Sequence, residues 1–538
     1  MMKIIILFGF LITSFSVTAQ SLEEAEKFLY YGRLQSAEEV LMKIISGNPR
    51  DSKAYYLLCG AYLKSGKTSE AGEIARTGIQ KTSAPLLSVA MGHVLLATEK
   101  KEEAARLFTK ALEETKHKDA EILQAIAKAH IDAAQGDAGY AIELLGKIPG
   151  RHRKNPVVAI LQGDAYLKLT EGGKAVSAYQ LAVEYDKSDA EAFYKMGKIY
   201  LTQQNIQVYV PYFENAITAD EKYAPAYLEL YNYYYFRDIN KAGDYLHKYI
   251  YHSDPVIEHK YMITDLLYAS GKYSEALQKA NEILSLEKEN TSPRLYKLLA
   301  YSKASLKDSL KAKEFMDTYF SKQEETKVIA QDYSFYARLL RNSDRNNEQV
   351  INSLEKAIAL DTLLNNKLEY MAELTDFYKK KEDKLNEAKW LGKIYGLKEK
   401  PSNVDLFNWG LALFLGGDYL QADSVFAIYT EKYPDQVYGH YWRARSNGVI
   451  DSTLETGTAV PHYEKLITLA SADKEKHKNV LMQANSYLAM YAANVRKEFE
   501  KAIQYLQNIL ELDPANGDAL KNREILYKAI SKTETGNK

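Results

Sequence analysis

Apolar residues recur three and four positions apart along almost the whole chain, which is the spacing of amphipathic helices. A longer period is laid over this one. A small residue stands in every second predicted helix: Ala37, Ala71, Ala104, Ala141 and Ala175, then Ala242 and Ala276, then Ala388, Ala422, Ala459 and Ala502. Within these runs the intervals are 34, 33, 37 and 34 residues, then 34, then 34, 37 and 43. Tyr209, Leu310 and Val350 stand where rungs are missing, which makes fourteen helix-turn-helix units. Twelve residues ahead of many rungs lies a second small residue (Ala25, Cys59, Gly92, Ala129, Gly163, Gly197, Gly410). Three residues past these there is often a large apolar side chain: Phe28, Tyr62, Leu95, Tyr166, Tyr200, Leu413.

Two antiparallel helices approach closely only where their side chains are small, and the large residues a turn further on fill the remaining groove. Gly66, Gly271 and Gly417 fall between paired helices, where a left-handed backbone ends the first of them. Asn48-Pro49, Tyr433-Pro434 and Asp513-Pro514 close units. A hairpin of this kind leaves an apolar face that only stacking can bury. Breaks in the stack are expected near Ile148 to Asn155, Ser321 to Lys327 and Gly396 to Ser402, and an extended polar loop over Asn447 to Thr458. At Tyr209 the second helix is expected to begin with Pro211 in its first turn. The chain thus divides into an N-terminal array (20–320), a C-terminal array with insertions (321–514), a capping helix (515–531) and a disordered tail (532–538).

The first nineteen residues differ from the rest: Lys3, an apolar run from Ile4 to about Phe15, then Val17-Thr18-Ala19, small where a signal peptidase cuts. This predicts a cleaved export signal and a periplasmic, secreted or envelope-associated protein. No Cys follows the apolar run, so lipid anchoring is not expected, and no later segment approaches the ~20 apolar residues that span a bilayer. The single Cys rules out an intramolecular disulfide. With 70 Lys+Arg against 71 Asp+Glu there is no global field to draw nucleic acid.

Signatures of catalysis and of metal or cofactor binding are absent, and the protein is expected to be a non-enzyme without cofactors. His247, His252 and His259 are spaced by five and seven residues, which does not place two imidazoles on one helical face, and are expected at the surface or in loops. Cys59 occupies a small-residue position and is expected to be buried. Arg151-His152-Arg153-Lys154 is expected in a solvated turn.

The units resemble the tetratricopeptide repeat (TPR) family. The resemblance is clearest at Tyr55-Tyr56-Leu57-Leu58-Cys59-Gly60-Ala61-Tyr62 with Gly66 and Ala71, and at Leu406, Trp409-Gly410, Leu413, Gly417, Ala422, Phe426, Tyr429 and Pro434. Phe193, Gly197, Tyr200, Phe213 and Ala216 make a third unit. It implies an all-α, right-handed superhelical solenoid of about fourteen repeats, and a scaffold that binds a protein or peptide in its concave groove. It also implies that groove positions lie one residue from the packing set. These are Tyr56, Val89, His93, Ile160, Asp164, Tyr194, Lys198, Leu228, Asn232, Tyr235, Tyr261, Asp265, Tyr268, Phe335, Arg338, Phe407 and Leu411. The Lys/Asn/Lys/Arg pattern with which one subgroup grips a C-terminal carboxylate is missing. There are 43 Tyr against 16 Phe, densest over Tyr227 to Tyr251, more than packing needs, so part of them is expected at the surface, where glycan binding is an alternative use.

Overall fold

The computed structural model describes residues 21–341 and 347–536, and the expected signal segment lies outside them. The chain forms two compact units that divide between Leu306 and Lys307, earlier than the expected residue 320. In the first, helices pair into eight successive hairpins, from Leu22–Tyr30 with Leu34–Gly47 to Ile257–Ala269 with Tyr273–Glu287, and Pro293–Ser305 follows. The second opens on Ser309–Lys322 and runs through five hairpins, from Ala330–Leu340 with Asn347–Leu360 to Lys474–Tyr491 with Phe499–Leu512, before the last helix, Gly517–Gly536. Among the described residues there are no strands.

The small-residue ladder is the spine of both units. Ala37, Ala71, Ala104, Ala141, Ala175, Ala242, Ala276, Ala388, Ala422 and Ala502 are fully buried. Opposite them, close approach sets the residue type: a Cβ on Gly197 would lie 2.6 Å from Cε1 of Phe213. Gly66, Gly271 and Gly417 adopt φ of 73°, 74° and 87° at the ends of first helices, a conformation that costs other residues free energy. Cys59 is buried within this packing, which pushes its thiol up to about 12 and makes it inert.

Four local expectations need correction. Leu310 is 80% exposed, and the rung of its unit is Ala312, the fourth residue of Ser309–Lys322, as Ala37 is of Leu34–Gly47. The helix carrying Tyr209 and Pro211 starts at Ile206, so Pro211 lies inside it, on an exposed face. The loop expected from Asn447 begins only after Val437–Ile450, and is folded around the Asp451 carboxylate, which accepts the N–H groups of Thr456 (3.3 Å) and Gly457 (2.6 Å). The last helix continues to Gly536, through most of the expected tail, and exposes Leu520, Ile525 and Tyr527.

The first unit also closes on itself. Tyr30 Oη accepts the N–H groups of Ala190 (2.9 Å) and Glu191 (3.3 Å), and Tyr31 Oη donates to Asp220 (2.9 Å). Leu34–Gly47 has no capping side chain at its own N-cap, Arg33. Asp254 supplies the cap across more than 200 residues, accepting from the N–H groups of Gln35 (2.8 Å) and Ser36 (3.2 Å), from Ser36 Oγ (2.5 Å) and from Arg33 Nε (3.2 Å). Burial pushes the Asp254 carboxyl up, but these donors outweigh it and hold the group below its usual value.

Candidate functional site

Along the first helices of the first unit, the charged side chains are already paired. Lys53 bonds Glu121 and approaches Glu26. Lys128 is 2.9 Å from Asp132, and Lys195 lies 2.8 Å from Asp164 and 3.4 Å from Glu191. Lys198 is 2.7 Å from Glu229, and Arg294 is 2.8 Å from Glu258 and 2.9 Å from Asp265. Lys64 sits among these groups; burial lowers its ammonium, and the repulsion of Lys128 and Lys195 adds to this.

The sequence-predicted residues divide accordingly. Asp164, Lys198 and Asp265 are members of these pairs, and Asp164 also accepts from Tyr179 Oη (2.7 Å). Tyr194 packs edge-on against Tyr223, its centroid 5.6 Å away, and burial pushes its phenol up to about 12. Tyr235 donates to the Asp265 carbonyl (3.1 Å), and Tyr268 packs between Tyr273 and Tyr301. Tyr56 and Leu228 are half-buried against core clusters, and Asn232 is exposed. Val89, Ile160, His93 and Tyr261 are buried packing residues rather than groove residues. Burial drives the His93 imidazole down to about 4, and Tyr261 is fixed by a hydrogen bond to Glu287 (2.5 Å).

The tyrosine surplus also has a structural use. Tyr209, Tyr223, Tyr227 and Tyr231 are buried, and Tyr233, Tyr234, Tyr235, Tyr245 and Tyr249 are half-buried against one another. Tyr30 and Tyr31 of the first hairpin insert into this cluster, 5.2 Å from each other, with Tyr223 5.2 Å from Tyr30. In this stretch Tyr251 and Phe236 remain largely exposed, at 81% and 88%. Of the histidines expected outside the core, His259 is buried against Tyr249. Arg153 donates to the Gly146 (3.0 Å) and Ile148 (3.3 Å) carbonyls, capping a helix end. No group of three metal-binding side chains occurs among the described residues.

The second unit is built differently. Between the first helices Leu364–Lys380 and Asn403–Leu415, over Lys384–Leu397, lies a cleft of about 470 Å³. Leu391, Ile394 and Leu411 line it with apolar side chains, and Leu415 lies at its edge. Its acids are taken up: Asp376 by Lys380 (2.8 Å), Glu387 by Lys384 (2.7 Å) and Asp405 by Lys398 (2.7 Å). Of the predicted residues, Leu411 lines the cleft, Phe407 packs on Phe426 and Tyr429, Phe335 is half-buried, and Arg338 is exposed beside Ser334. One hairpin further on, Arg445 lies over Phe414, Tyr441 and Trp442, with centroids 5.0, 5.7 and 5.1 Å away. Sequence reasoning missed Arg445, although it follows Ala444 as Leu411 follows Gly410, the same rung of the ladder.

A family model for the tetratricopeptide repeat matches residues 190–223, which hold Phe193, Gly197, Tyr200, Phe213 and Ala216 in the order the hairpin geometry requires. The chain thus carries a tetratricopeptide repeat at these residues. The DnaJ homolog subfamily C member 3 of Mus musculus is 28% identical over 192 residues, covering 33% of this chain and 38% of that protein. Tetratricopeptide repeat protein 21B of Homo sapiens is 25% identical over 154 residues, covering 22% and 12%. The chain thus spans well under half the length of these relatives. Among solved structures, the C-terminal part of a TPR protein from Cytophaga hutchinsonii is 28% identical, with 48% of this chain and 98% of that one covered and a TM-score of 0.31. Yeast Tom70 is 13% identical over 77% of this chain and 98% of its own, also at a TM-score of 0.31.

Proposed function

We propose that the chain is a non-enzymatic scaffold of the cell envelope that holds a protein or peptide partner against the concave face of its second unit. Tetratricopeptide-repeat proteins generally mediate protein–protein interaction, and the cleft beside Leu411 carries the reading to this place. Apolar side chains line it, Leu415 at its edge is 55% exposed, and its acids are already neutralised, so an inserted side chain displaces water without stranding a buried charge. A photo-crosslinking residue at position 415 is expected to capture a defined partner protein in cells, and one at the exposed Lys389 is not. Equal labelling from both positions would remove the cleft from the proposal. The envelope assignment rests on the first nineteen residues: a mature chain beginning at Gln20 in a periplasmic or secreted fraction supports it, and a cytoplasmic chain retaining Met1 refutes it. A glycan-binding reading draws on Phe236 and Tyr251, and a glycan array with each changed to Ala tests it.

A further inference from the structure

Arg445 differs from the other charged rungs in how its charge is balanced. In the first unit Lys128, Lys195 and Lys198 each face a carboxylate within 3 Å. Beside Arg445, Arg443 lies 3.0 Å from Asp423. Among the described residues the Arg445 guanidinium has no carboxylate partner. It donates once, through Nη1 to Tyr441 Oη at 3.3 Å, and otherwise rests on three rings. A guanidinium carries five donors in a planar fork that matches a carboxylate, so most of its hydrogen-bonding capacity is unspent. The rings hold the group in place and shield it from water on one side, which strengthens its attraction for an anion.

The surroundings point to what the anion is attached to. Phe414, one of the rings beneath Arg445, belongs to Asn403–Leu415, the helix that carries Leu411 and Leu415 into the apolar cleft. Leu411 and Arg445 occupy equivalent rungs of neighbouring first helices, whose axes lie about 10 Å apart in such packing. We propose that Arg445 recognises an Asp or Glu side chain of the partner segment whose apolar residue enters the cleft. The inference rests on the docking reading above and adds to it the chemistry of the partner: an acidic residue set about 10 Å from an apolar anchor.

The test is selection of random dodecapeptides, displayed on phage, against the intact chain. Binders that fail on Leu415→Asp are cleft binders by definition. They are expected to be enriched in Asp and Glu, and synthetic versions to bind Arg445→Gln about tenfold more weakly. Arg445→Lys is expected to recover part of this loss, because it restores the charge but not the fork. Replacing the peptide's own Glu by Gln is expected to weaken binding to the unaltered chain as much, which keeps the test decisive should Arg445→Gln fold poorly. Cleft binders without acidic enrichment, holding equally to Arg445→Gln, would overturn this inference and leave the docking reading standing. A selection yielding no Leu415-dependent peptide would remove both.

Discussion

The two units balance the charged side chains of their first helices in different ways. In the first, a rung cation such as Lys195 or Lys198 faces an acid on a neighbouring first helix, and the first hairpin is sewn to hairpins six to eight by Tyr30, Tyr31 and Asp254. In the second, Leu411 opens onto an apolar cleft and Arg445 rests on rings. A repeat fold fixes where a concave side chain stands but not whether it is spent on the protein itself. The first face is satisfied internally; the second holds capacity in reserve.

The strongest way to break this contrast is to remove the closure. Tyr30→Ala deletes a ring packed against Tyr223 and strips the acceptor from the Ala190 and Glu191 amides. It is expected to destabilise the first unit by about 3 kcal/mol, the scale of an aromatic-to-Ala change. Hydrogen exchange should show those two amides opening, with amides of residues 364–415 unchanged. Protection lost equally in both units would mean that the closure is not a local feature. Asp254→Ala removes only the distant cap and is expected to cost about 1–2 kcal/mol, with faster exchange confined to Gln35 and Ser36 and their neighbours.

Acid separates the units by a different route. Burial drives His93 down to about 4 and also lowers His130, His252 and His259, all in the first unit; in the second it lowers His440 and takes His462 down to about 4. A histidine depressed in the fold takes up its proton more readily when unfolded, so stability is full above the unfolded value near 6.5 and falls as pH drops from there towards the folded value. Asp189 works in the opposite direction. Burial raises it to about 6, so below pH 6 the folded chain binds the extra proton and recovers some stability. With four such histidines against two, the first unit is expected to lose protection more steeply between pH 6.5 and 4, and His93→Gln to flatten its slope by up to about 1.4 kcal/mol per pH unit. A steeper loss in the second unit would contradict this accounting of burial.

The repeat was legible in the sequence because helix packing leaves no choice at its rungs: Ala37 or Ala422 has no room to be larger, and Gly66 needs φ > 0. The closure was not, because it joins Tyr30 to Ala190 and Arg33 to Asp254 through the superhelix, a long-range geometry that no local spacing encodes. The tyrosines of 227–251 looked surplus for that reason, since the hairpin that covers part of them lies some 200 residues earlier. Leu310 was misread because a fixed count from Ala276 ignores a unit two residues longer than most, which moves the rung to Ala312. Arg445 was missed because what distinguishes it is that no carboxylate among the described residues pairs with it, and such pairing is three-dimensional.

The smallest effect sharpens the contrast most. Lys198 and Glu229, 2.7 Å apart with side chains 43% and 13% exposed, form a pair whose net contribution is about 1 kcal/mol or less, because solvent screens the lysine and ordering it opposes the gain. Lys198→Met is therefore expected to change the stability of the first unit by no more than this. What it should change is the face: Glu229 loses its cation and retains Tyr194, whose hydroxyl is 3.5 Å away, as a weak donor. Its carboxylate then becomes an uncommitted charge on a concave rung, the mirror image of Arg445. If internal pairing is what silences the first face, Lys198→Met should draw Lys- or Arg-bearing peptides from the same display library where the unaltered first unit draws none. If that face stays silent, closure by Tyr30 and Asp254, rather than charge pairing, is what keeps partners out, and combining Lys198→Met with Asp254→Ala would distinguish the two.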